Sequence, residues 1–202
     1  MFDLILRGGT VIDGTGAPRY QADVAVTAGR IVGLGELAGA ASVRLIDVSG
    51  LVVAPGLIDV HNHSDGWLLK TPHLVPKTMQ GFTTEVVMAD GISYAPVSPE
   101  NVREWFYYLR SLNALRLDEY ADWHSIEEYL EHVAGRNVPN VAAHVPYANV
   151  RALARGFGPG RVDDYQMREI RAGIRRGMEA GAVGLSTGLD YVSQCYADTA
   201  AL

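Results

Sequence analysis

"PGLIDVHNHSDG", Pro55 to Gly66, closes an apolar run and then sets two histidines one residue apart. The preceding "VVAPGLID" reads as a buried strand. Side chains two apart on a strand point to the same side, so Asp59, His61 and His63 fall on one face, with Val60 and Asn62 on the other. The texture of the chain changes at this point. Upstream of Pro55 it is dense in Gly, Val, Ile and Leu in short alternating runs; downstream, apolar strands alternate with helical patterns. The reading is therefore a small all-β unit over residues 1–54 and a parallel β/α unit over residues 55–202.

Three upstream stretches each read as strand, tight Gly turn, strand: "DLILRGGTVIDG" (Asp3 to Gly14), "DVAVTAGRIVGLG" (Asp23 to Gly35) and "VRLIDVSGLVVAPG" (Val43 to Gly56). Downstream, four strands are expected: "GLIDVHNH", "FTTEVVMADGI" (Phe82 to Ile92), "NVPNVAAHV" (Asn137 to Val145) and "AVGLSTGL" (Ala182 to Leu189). Between them lie a helix from Pro99 to about Leu112 and one opened by a capping box of Ser125 and Glu128 in "SIEEYLEHV". A long helix follows from about Asp163, with Met167, Ile170, Ile174 and Met178 on one face and Gly181 as its stop. Parallel strands with side-chain chemistry at their C-terminal ends suit a (β/α)8 barrel, which needs roughly 250 residues. Residues 55–202 supply about half of one, and "YADTAAL" brings no closing element, so the fold class expected is α/β, a truncated barrel behind a small β unit.

Composition narrows the function. The 202 residues are 48% hydrophobic and carry a formal net charge of -6, which suits a globular protein with one substantial core. Nucleic acid is excluded as a main partner, because the 17 Lys and Arg are dispersed among 23 Asp and Glu and form no basic tract. The single cysteine, Cys195, cannot form an internal disulfide, no run approaches the roughly 18 apolar residues of a membrane span, and no secretory leader is visible. The expected setting is the cytoplasm, with a small-molecule substrate and no membrane partner.

Two neutral imidazoles at the mouth of a barrel suit Zn²⁺ or a similar borderline cation. A two-metal site also needs a bridging anion. The only lysines, Lys70 and Lys77, both precede the second strand, so a carboxylated lysine on a later strand is unavailable. Asp90, at the end of "TTEVVMAD", is the candidate carboxylate ligand, while Glu85 sits deeper on the opposite face. His144 ends its strand as a ligand, a substrate contact or a structural histidine. In "LSTGLDY", Ser186 and Tyr191 are candidate substrate contacts, and Ser186 lacks the turn of a serine nucleophile. His73, His124 and His132 read as surface residues, and Cys195 has no base beside it in sequence.

In their order, "FDLILRGGTVIDGTG", "GLVVAPGLIDVHNHSD", "KTMQGFTTEV", "GISYAP" and "AGAVGLSTGLDYVSQCYA" resemble the N-terminal portion of the N-acyl-D-amino-acid deacylases, or D-aminoacylases, of the metal-dependent amidohydrolase superfamily. The resemblance runs over nearly the whole chain. It implies a metal-bearing (β/α)8 barrel joined to a small β-sandwich, with one or two Zn²⁺ or another divalent metal. The implied reaction is hydrolysis of an N-acyl-D-amino acid by metal-activated water, without an acyl-enzyme. It makes His61 and His63 metal ligands and sets Asp90, in "MADG", where the family carries a metal-bound cysteine in "GNCG". Carboxylate oxygen is a harder ligand than thiolate, so this departure bears on metal preference and affinity. The family's general base and two further histidine ligands are expected beyond Leu202. Two rival readings stand beside this one: an amidohydrolase of cyclic imides, ureides or isopeptides, and a metal-free scaffold or fragment.

Overall fold

The computed structural model describes all residues from Met1 to Leu202, which divide into two units, Met1–Gly56 and Leu57–Leu202. The first unit is one sheet of β1 (Phe2–Val11), β2 (Tyr20–Thr27), β3 (Arg30–Gly35), β4 (Ser42–Asp47) and β5 (Val52–Val53). Its order is β3-β2-β1-β4, with β5 also pairing β1. Its small core joins Val11, Ala22 and Val24 to Leu6 and Val53.

Of the three stretches expected to read strand, Gly turn, strand, the middle one closes a hairpin. β2 and β3 turn on Ala28 and Gly29, both left-handed at φ 49° and 72°, the backbone that a two-residue hairpin loop requires. Gly8 and Gly9 do not turn the chain. They lie inside one ten-residue strand, where the register with β2 shifts between Leu6 and Gly9. A Cβ on Gly9 would come within 2.7 Å of the Val53 side chain, so this glycine serves a close approach of backbone to side chain. β4 and β5 do flank a tight turn at Gly50, where the Leu51 N–H donates to the Val48 carbonyl at 2.9 Å, but both strands run parallel to β1, so the turn does not close a hairpin.

The second unit follows the order β6 (Leu57–Asp59), α1 (Asp65–Lys70), α2 (Val75–Thr78), β7 (Phe82–Val87), α3 (Val102–Leu109), α4 (Ile126–Val133), β8 (Asn140–Pro146), α5 (Tyr147–Arg155), α6 (Asp164–Glu179) and β9 (Gly184–Ser186). The four expected strands stand side by side in sequence order, β6-β7-β8-β9, and every pair is parallel. This is the strand pattern of half a β/α barrel. Val87, Ala143 and Val145 of the sheet join Leu68, Trp105, Phe106, Tyr129 and Ile170 in one core. No helix is long and apolar enough to cross a membrane.

α4 starts where its capping box predicts: the Ser125 hydroxyl accepts the Glu128 N–H at 3.1 Å, and the Glu128 carboxylate accepts the Ser125 N–H at 3.0 Å. α6 has the same device in Asp163 and Gln166. On α6 Ile170 is buried and Ile174 packs on the core, but Met178 is 44% exposed and is not part of the apolar face. The helix around residue 105 is shorter than expected, spanning Val102–Leu109. The sequence does not mark α5 because its buried residues mix Asn149 and Arg151 with Ala148 and Val150, so polar side chains interrupt the apolar ones. The strand before the histidines is apolar but not buried. Leu57 and Ile58 are more than half exposed, because β6 is an edge strand paired only with β7.

Candidate metal centre

The strand that leads to the histidines is only three residues long and ends at Asp59, so His61 and His63 are held by a loop and not by strand alternation. Asn62 organises that loop. Its amide donates to the backbone oxygens of Val86 at 3.3 Å and Asp59 at 3.4 Å, and its Oδ1 accepts the Ser64 N–H at 2.9 Å. Asp59 does not join the histidine side chains: its carboxylate accepts the His61 N–H at 3.2 Å and pairs with Lys77 Nζ at 2.5 Å.

On the neighbouring strand, β7 stops at Val87, and Ala89–Gly91 form a short 3-10 turn. Met88 and Asp90 are both left-handed, at φ 63° and 56°, a backbone that costs a non-glycine residue of order 1 kcal/mol or more. The turn aims Asp90 at both histidines. His61 Nε2 lies 3.3 Å from Asp90 Oδ1 and His63 Nε2 lies 3.3 Å from Asp90 Oδ2. One ligand atom from each of the three residues lies within 4.8 Å of the others.

This donor set fits a divalent cation. Around a tetrahedral ion with bonds of about 2.0–2.1 Å, neighbouring ligand atoms stand about 3.3–3.4 Å apart; each histidine has that spacing to its own Asp90 oxygen. Two imidazole nitrogens and a carboxylate oxygen are ligands that Zn²⁺ and its first-row neighbours accept. The accessibility is also suitable, with the His61 side chain 64% exposed and that of His63 18% exposed.

Charged and polar groups support the loop from below. Glu85 is fully buried and paired with Lys77, and the Ser64 hydroxyl donates to its Oε2 at 3.3 Å. Lys77 thus ties Glu85 of β7 to Asp59 of β6. Asp65, also fully buried, accepts the Ser93 hydroxyl at 2.5 Å. Burial pushes its carboxyl up to about 6, opposed by the Ser93 hydrogen bond and by nearby His63.

The remaining candidates fall around this centre in different ways. The Tyr191 hydroxyl donates to Asp90 Oδ2 at 3.1 Å, and burial, then the Asp90 contact, pushes the phenol up to about 12. Ser186 Oγ donates to the Met88 carbonyl at 2.5 Å and accepts the Gly91 N–H at 3.0 Å. His144 lies opposite Gly184 near the end of β8, with Nδ1 buried and unpartnered, outside the three converging residues. Sequence reasoning missed Asn62, Ser64 and Gln194, whose amide donates to the Asp90 carbonyl at 2.6 Å. Asn62, sitting between the two histidines, was the one with a visible signal. Lys77, one of only two lysines and placed just ahead of the strand bearing Glu85, carries a pairing signal as well.

A model of the amidohydrolase family matches residues 44–200. N-acyl-D-aspartate deacylase of Alcaligenes xylosoxydans xylosoxydans is 38% identical over 94% of this chain and 37% of its own length. D-aminoacylase of the same organism is 38% identical over 98% of this chain and 40% of its own. The crystal structure of N-acyl-D-glutamate deacylase from Bordetella bronchiseptica, complexed with zinc and a phosphonate inhibitor that mimics the tetrahedral intermediate, superposes with a TM-score of 0.88 at 38% identity. The match covers 99% of this chain and 41% of that one. The chain therefore spans about two fifths of the length of the curated relatives it matches.

Proposed function

This chain belongs to the amidohydrolase family, and on that footing we propose that the protein carrying it hydrolyses the amide of N-acyl-D-amino acids, releasing a carboxylate and a free D-amino acid. The observation that carries the proposal is the convergence of His61, His63 and Asp90 at the C-terminal ends of adjacent parallel strands, where barrels of this kind place their chemistry. The named deacylase relatives support the substrate class. The zinc in one of them supports Zn²⁺ as the ion, with one or two ions compatible with a carboxylate whose two oxygens face different histidines.

A divalent cation held there supplies Lewis-acid polarisation of the scissile carbonyl and a water acidified towards neutral pH. The residues of this chain do the rest of the local work. His61 and His63 offer ring nitrogens, Asp90 offers carboxylate oxygens, and Asn62 with the Lys77, Glu85 and Asp59 cluster fixes the loop between them. His144 and the Ser186–Tyr191 segment are the proposed contacts flanking the substrate, and residues outside this chain's 202 are the proposed source of the general base. The cytoplasm is the proposed setting, in keeping with a free, exposed Cys195.

The test is turnover of N-acyl-D-amino acids against their L-enantiomers and against cyclic imides, in the protein that carries this chain. Release of D-amino acid that falls to background in His61→Ala/His63→Ala and after chelation is expected. Activity that survives both treatments contradicts the proposal.

A further inference from the structure

We infer that Tyr191 is a positioning residue for the metal-binding carboxylate of Asp90, and that the segment Ser186–Gln194 is built to hold that ligand. This inference rests on the metal site proposed above and assigns a role within it. A carboxylate rotates easily about its last torsion, so an aspartate alone on a loop is a poorly fixed ligand. The Tyr191 hydroxyl donates to Asp90 Oδ2, the oxygen that faces His63 Nε2. A phenol has one proton to donate. Committed to Asp90, that proton fixes the carboxylate's rotation.

The rest of the segment grips the Asp90 backbone. Gln194 donates to the Asp90 carbonyl, while Ser186 bonds the turn on both sides, at Met88 and Gly91. These bonds oppose the cost of two left-handed non-glycine residues in the turn. Gly188 makes the approach possible: a Cβ there would come within 2.7 Å of the Asp90 carbonyl oxygen and 2.9 Å of the Tyr191 ring. Side chain and backbone of one ligand are therefore held from a single segment about 100 positions away in sequence.

The experiment is the Zn²⁺ dissociation constant, by competition with a chromophoric chelator, for the parent, Tyr191→Phe, Asp90→Cys and the double variant. Loss of a hydrogen bond to a metal-bound carboxylate weakens binding about 10–100-fold, and that loss is expected for Tyr191→Phe in the parent background. A thiolate is a weak acceptor, so Tyr191→Phe should change affinity by less than about threefold in the Asp90→Cys background. Equal affinity of parent and Tyr191→Phe overturns the inference and leaves the metal site standing. An equal loss in both backgrounds marks a packing effect and also overturns it. A parent that binds no Zn²⁺ sinks the metal site itself, and the inference with it.

Discussion

Glu85 is the residue whose environment most constrains its neighbours. It is a fully buried carboxylate, and its cation is Lys77, which also serves Asp59. Removing one member of such a pair leaves an uncompensated buried charge, a loss of about 3–5 kcal/mol. Lys77→Met is therefore expected to lower the unfolding free energy by about 3 kcal/mol in chemical denaturation, and Lys77→Met/Glu85→Gln to recover part of it. A single variant as stable as the parent contradicts this account of the cluster. At this scale the candidate metal ligands are legible in the sequence but not their support. His61, His63 and Asp90 announce themselves by residue type and by lying at strand ends. Gln194 is an ordinary polar residue until the fold brings it to the Asp90 carbonyl, 104 positions away.

Among the elements, α1 shows how tightly the barrel half packs behind the site. Its Gly66 sits where an added Cβ would fall 2.0 Å from the Asn113 carbonyl oxygen and 2.8 Å from Leu115. Backbone cannot yield as a side-chain tip can, so Gly66→Ala is expected to cost more than about 2 kcal/mol, read as a lower thermal midpoint. A midpoint equal to the parent's contradicts the packing described. α1 itself was not anticipated, nor was α2: at six and four residues they are too short for an apolar period to register. The capped helix α4 and the four parallel strands were readable, because a capping box and a bounded apolar run are local signals. The Gly8–Gly9 pair reads as a turn and lies within a strand for the opposite reason. A glycine that admits a neighbouring side chain and one that reverses the chain look alike until the partner strand is known.

At the scale of the molecule, the chain divides into a small sheet and a parallel β/α unit, and His61, His63 and Asp90 all belong to the second unit, on loops that leave adjacent strands. The order of the parallel strands followed from the alternation of apolar strands and helices, since consecutive β/α units neighbour one another. The exposure of β6 did not, because an apolar edge strand and an apolar central strand share one composition. The central claim is that His61, His63 and Asp90 together hold a divalent cation, and the most direct measurement is the metal content of extensively dialysed protein, by elemental analysis, for the parent and for His61→Ala/His63→Ala. The account predicts a stoichiometric divalent metal in the parent that falls substantially in the double variant. No metal in the parent, or the same content in both, contradicts it.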